Sequence, residues 1–100
     1  IGYCPSKAGV IMLTKCIALE YAPHIRVNAI LPGLVRTPMI EQRFAEAEDS
    51  KALEESYASL YPLHKMGKIE DMANAIAFLS SDESGFITGE IMQVCGGSLI

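Results

Sequence analysis

Ile25-Arg26-Val27-Asn28-Ala29-Ile30-Leu31-Pro32-Gly33 is the stretch on which the fold turns. Branched apolar residues dominate positions 25 to 31 and Pro32-Gly33 ends them, which predicts a β-strand. The run is nearly continuous rather than alternating, as in a strand covered on both faces within a parallel sheet. Because it follows a helical segment, the chain reads as α/β. Ligands of open α/β sheets bind in the crevice at the carboxyl ends of strands, and a glycine there admits a close backbone approach. An ordinary strand-ending turn accounts for the same two residues, so a ligand reading needs support from the rest of the chain.

Upstream, positions 5 to 21 carry a helical pattern. Pro5 is tolerated in the first turn, Ala8, Leu13, Ala18 and Leu19 are good helix formers, and Pro23 is the stop. At about 100° per residue, Val10, Ile17 and Tyr21 fall on one side and Met12, Cys16 and Leu19 on the other. Only Thr14, Lys15 and Glu20 interrupt this apolar surface. Such a helix is expected to be covered twice, by a sheet and by a further element such as a second subunit. In its first turn Tyr3 and Lys7 lie four residues apart on one face. A phenol titrates near ~10, and an adjacent ammonium pulls that value down toward neutral pH, which makes the pair a candidate acid/base. Such pairs also arise by chance.

Downstream, positions 39 to 61 are polar and acidic, with Phe44, Leu53, Tyr57 and Leu60 interspersed, and predict one or two short helices. Those apolar side chains suit either a pocket wall or anchors to the core. Positions 71 to 80 form an amphipathic helix whose stripe of Met72, Ile76 and Leu79, with Ala73 and Ala75, is expected to be core; Glu70 and Asp71 suit its positive end. A last strand is predicted over 90 to 95, before Gly96-Gly97.

Half of the 100 residues are hydrophobic, enough to build one small domain. The net charge is −4 with the basic residues scattered, which argues against a nucleic acid or an anionic membrane as partner. A small-molecule substrate fits better. No apolar run approaches the ~18 residues of a membrane span. Cys4, Cys16 and Cys95 are odd in number and lack metal-ligand spacing, so neither a disulfide framework nor a zinc site is expected. A reducing, cytoplasmic setting follows as the expectation.

Tyr3 and Lys7, Gly9, Arg26-Val27-Asn28, Pro32-Gly33-Leu34-Val35-Arg36-Thr37, Gly85-Phe86-Ile87-Thr88-Gly89 and Cys95-Gly96-Gly97 occur in an order that resembles the short-chain dehydrogenase/reductase family. The resemblance spans essentially the whole chain. It implies the C-terminal part of a Rossmann-type doubly wound parallel sheet, with positions 1 to 100 the C-terminal portion of one NAD(P)-binding catalytic domain and the glycine-rich cofactor fingerprint absent. It further implies an alcohol dehydrogenase or ketone reductase using NAD or NADP. Tyr3 would be the acid/base at the substrate oxygen. Lys7 would lower its pKa and bond the nicotinamide ribose. Pro32, Gly33, Val35 and Thr37 would hold one face of the nicotinamide, Val35 through its backbone and Thr37 through its hydroxyl. The family's serine and asparagine precede the tyrosine, so the piece alone is expected to be inactive and to order as a homo-oligomer or with the missing half. A non-catalytic packing module is the alternative. Pro5, the short turn at Ala22-Pro23-His24-Ile25 and Cys95 depart from the usual pattern without removing a catalytic group.

Overall fold

The computed structural model describes residues 3 to 97, with side chains from Ser6 onward. The order of elements is α1 (Tyr3–Tyr21), β1 (Ala29–Pro32), α2 (Pro38–Glu46), α3 (Ser50–Ala58), α4 (Ile69–Ser80) and β2 (Ile91–Val94), with a 3-10 turn over Asp82–Ser84. Ala29 donates its N–H to the Glu90 carbonyl at 2.9 Å and Gly33 donates to Val94 at 3.0 Å. The offset is the same at both, so β1 and β2 pair in parallel, and the helices between them supply the crossover that a parallel pair requires. The α/β class expected from the sequence is what forms.

The chain divides into two compact units, Ile1–Ile30 with Ile76–Met92 and Leu31–Ala75 with Gln93–Ile100. In the first, α1 buries Thr14 and Ala18, at 7% and 2% exposure, rather than either predicted apolar side. Thr14, read from sequence as an interruption, donates its hydroxyl back to the Val10 carbonyl at 2.8 Å and so meets the cost of burial within its own helix. Val10, Met12, Leu13 and Leu19 stay exposed in this chain. Extended pairing begins at Ala29 rather than at position 25; before it a single backbone bond, Gly89 N–H to the Val27 carbonyl at 2.7 Å, alternates with side-chain bonds. Val27 donates its N–H to Thr88 Oγ1, and Asn28 Oδ1 accepts from the Glu90 N–H. Arg26 donates to Ser84 Oγ and to the carbonyls of Ile87 and Ser81, each at 3.1 Å. Ser84, buried at 1% exposure, turns its own hydroxyl toward Leu79 and Ser81.

The second unit holds the main apolar cluster of the described residues: Ile40, Phe44 and Met66, flanked by half-buried Leu34, Leu53 and Tyr57. Thr37 caps α2, its Oγ1 accepting from the Ile40 N–H, and Pro38 opens the helix where a missing N–H costs nothing. Asp49 Oδ1 caps α3 by accepting from Ala52 N–H at 3.1 Å. Phe44, Leu53 and Tyr57 are therefore anchors, whereas Leu60 is exposed.

Three expectations are corrected. No β1 residue is fully buried, since β2 is its only strand neighbour among the described residues. Likewise α4 has no buried residue, and Ile76 of its apolar stripe is half exposed, because a two-stranded sheet offers little surface against which to bury one. The last strand spans Ile91–Val94, and Cys95 lies just beyond it, buried.

Candidate active site

Tyr3 begins α1, and continuous helix carries positions 3 and 7 one turn apart on one face. The Tyr3 side chain lies outside the described residues. Lys7 is exposed on that helix. Both belong to the first unit, and Pro32, Gly33, Val35 and Thr37 belong to the second. The latter four come together within their unit, on the segment that leaves the carboxyl end of β1 and enters α2.

Gly33 is where two strand ends close on each other. A Cβ at this position would lie 3.1 Å from Cys95 Cα, 3.1 Å from Tyr61 Cε1 and 3.2 Å from the Cys95 carbonyl oxygen. The close approach that glycine permits here includes protein groups, the Cys95 backbone and the Tyr61 ring. Next to it, Leu34 donates its N–H to Tyr61 Oη at 2.7 Å, so a buried phenol pins the backbone one residue ahead of Val35. Sequence reading places Tyr61 only at the end of a segment and assigns it nothing. A bond between residues 27 positions apart leaves no periodic trace.

Val35 pairs with Gly67 in an isolated parallel bridge: Gly67 donates to the Leu34 carbonyl at 3.0 Å and Arg36 donates to the Gly67 carbonyl at 2.9 Å. In that pattern the N–H of Val35 itself points to the opposite edge of the segment. Thr37 donates its N–H to the Val35 carbonyl at 2.8 Å, which tightens the turn into α2. The Thr37 hydroxyl accepts within the cap and retains its own proton for donation. An outward backbone N–H and a hydroxyl two residues on are a donor set that fits a carboxamide or a ribose oxygen. A cleft of about 360 Å³ borders Gly33, Leu34, Tyr61, Met66 and Cys95.

Arg36 is the residue of this segment that sequence reading quotes but gives no task. Its Nε and Nη2 donate to the two carboxylate oxygens of Glu41 at 2.6 and 3.0 Å, and its Nη1 donates to Glu54. The guanidinium carbon stands 5.1 Å from the centre of the Phe44 ring. The hydrogen bond to Glu41, followed by the attraction of both carboxylates, raises the arginine's pKa. Among the described residues no group of three or more His, Cys, Asp or Glu side chains could hold a metal ion, and no helix is long and apolar enough to cross a membrane.

The family model described as enoyl-(acyl carrier protein) reductase matches residues 2–98. The chain is 48% identical over 96 residues to 3beta-hydroxysteroid dehydrogenase 1 of Eggerthella lenta, covering 95% of this chain and 35% of that protein. Its fold matches the aldohexose dehydrogenase of Thermoplasma acidophilum, solved as a C-terminal deletion mutant, with a TM-score of 0.87 and 36% identity over 97% of this chain and 44% of that one. ElxO, solved with NADP bound, matches with a TM-score of 0.87 and 37% identity over 97% of this chain and 38% of its own. The chain spans 35% to 36% of the length of the first curated relatives it matches. The strand-end segment with its outward donors and the match over nearly every residue agree: the chain belongs to the short-chain dehydrogenase/reductase family.

Proposed function

We propose that this chain carries the acid/base and the nicotinamide-contacting segment of an NAD- or NADP-dependent oxidoreductase acting on a secondary alcohol or ketone of small-molecule size. The nicotinamide, when bound, accepts or supplies the hydride. Tyr3 moves the proton at the substrate oxygen. Lys7, one turn along α1, favours the phenolate by its charge and has three N–H donors, enough to bond the ribose as well. Pro32 and Gly33 end β1 and turn the backbone, Val35 offers its outward N–H to the carboxamide, and Thr37 offers its hydroxyl proton. The observation that carries this reading is the Val35–Gly67 bridge, which turns a backbone donor outward at the carboxyl end of a parallel strand. NADP bound to ElxO supports the cofactor class, and the dehydrogenase names of the relatives support the reaction type.

The test is Tyr3→Phe in the full-length protein. Turnover is expected to fall by at least about a thousandfold with cofactor affinity nearly unchanged, since only the transition state loses an interaction. Retention of a tenth of the rate overturns the assignment. Lys7→Met is expected to damage turnover and cofactor affinity together.

A second reading, a packing or assembly module, is favoured by one observation: Val10, Met12, Leu13 and Leu19 expose 54%, 59%, 56% and 82% of their surface on α1. Apolar surface of that extent is a contact face for another copy or for a further part of the same protein. The two readings are compatible, because a covered α1 also holds Tyr3 and Lys7 in place.

A further inference from the structure

We infer that Arg36 is a positioning residue that couples the backbone donors of the Pro32-to-Thr37 segment to the helical pair α2 and α3. The inference rests on the cofactor reading above and adds a residue to which that reading assigns no part. Arg36 lies between Val35 and Thr37, whose backbone N–H and hydroxyl proton the cofactor reading uses, and its own N–H is committed to Gly67. Its side chain leaves that segment and grips both helices at once, Glu41 in the first turn of α2 and Glu54 in the middle of α3.

The grip matters most for α3. That helix contains no fully buried residue. It is held by partial burial of Leu53 and Tyr57, by the Tyr57–Phe44 ring contact at 5.7 Å, and by two polar tethers, Arg36 to Glu54 and Arg43 to the Tyr57 hydroxyl at 3.2 Å. Of the two tethers only Arg36 originates on the segment of the outward donors. A guanidinium with a two-point bond to one carboxylate and a third bond to another has a fixed plane, and the Phe44 ring beneath it fixes that plane further. Displacing the backbone at Val35 or Thr37 therefore drags Glu54, and with it α3.

Hydrogen exchange of the full-length protein, with NADH and NADPH each as probe, tests this. In the wild type, the cofactor that binds is expected to slow exchange at residues 33 to 37 and, through Arg36, across Ser50–Ala58. In Arg36→Met the protection at the segment is expected to persist in weaker form, while the cofactor-dependent protection of α3 disappears and its basal exchange rises about fivefold. Glu54→Gln, which leaves the segment untouched, is expected to reproduce the loss at α3, and Arg36→Lys to restore part of it. Cofactor-dependent protection of α3 that is equal in wild type, Arg36→Met and Glu54→Gln overturns the coupling and leaves the cofactor reading intact. Absence of protection by either cofactor at residues 33 to 37 of the wild type overturns both.

Discussion

Replacing Gly33 by alanine adds one methyl group at the tightest point between the two strand ends. The new Cβ would lie 3.1 Å from Cys95 Cα and 3.2 Å from the Cys95 carbonyl oxygen, both backbone atoms tied to the end of β2, and 3.1 Å from the buried Tyr61 ring. None of these is the loose end of a flexible side chain, so the strand ends must part by a few tenths of an ångström. Overpacking of this kind costs about 1–3 kcal/mol. Against it, Gly33 does not occupy the left-handed region, so alanine adopts its backbone conformation without strain and restrains the unfolded chain, a gain of about 0.4–1 kcal/mol. The balance is a loss centred near about 1.3 kcal/mol within a range of about 0–2.6 kcal/mol, at its centre roughly a tenfold drop in the ratio of folded to unfolded protein. Urea denaturation of the full-length protein reads it as a lower midpoint at unchanged slope. A higher midpoint refutes the claim that glycine is required here by Cys95 and Tyr61.

Tyr61→Phe removes the acceptor of the Leu34 N–H and is expected to cost about 1–2 kcal/mol by the same assay, with weaker cofactor binding because the backbone next to Val35 loosens; equal stability would show that water or another group replaces the phenol. Thr37→Ala is expected to lose about 1 kcal/mol of capping together with cofactor affinity, whereas Thr37→Ser retains most of both; equal cofactor affinity in the alanine variant refutes the role of the hydroxyl. Arg26→Met removes the charged donor shared by the Ile87 and Ser81 carbonyls and Ser84 Oγ, while Asn28 Nδ2 still serves Ile87 and Ser84 still serves Ser81; a loss of about 1–2 kcal/mol is expected in denaturant titration, against no change if the clamp is idle.

What the sequence discloses and what it hides divide along physical lines. Helix α1, its stop before Pro23, the strand end at Pro32-Gly33 and the two short helices of positions 39 to 61 all follow from local rules of propensity and punctuation. The motif singles out Val35 and Thr37 as residues of the strand-end segment. The parts played by Tyr61 and Arg36 stay hidden, because what makes them matter is a bond across 27 positions in one case and across 18 in the other. Thr14 escapes a sequence reading for a related reason: a hydroxyl counts as polar on a helical wheel, yet the Val10 carbonyl satisfies it and lets it be buried. The late start of β1 belongs to the same class, since the side-chain bonds of Asn28 to the Glu90 N–H and of Thr88 to the Val27 N–H leave no trace in an alternation pattern.

The clamp around Arg26 also fixes an order of events in time. Val27 finds Thr88 across 61 positions, and Arg26 finds Ile87 across the same distance. At about 5–20 residues per second on the ribosome, the first partner waits roughly 3 to 12 seconds for the second. Throughout that interval the Ala29–Pro32 segment waits without β2, its partner among the described residues. Closing so long a loop is also a slow, non-local step even for a free chain. Until Thr88 arrives, β2 is not yet there for Ala29–Pro32 to pair with.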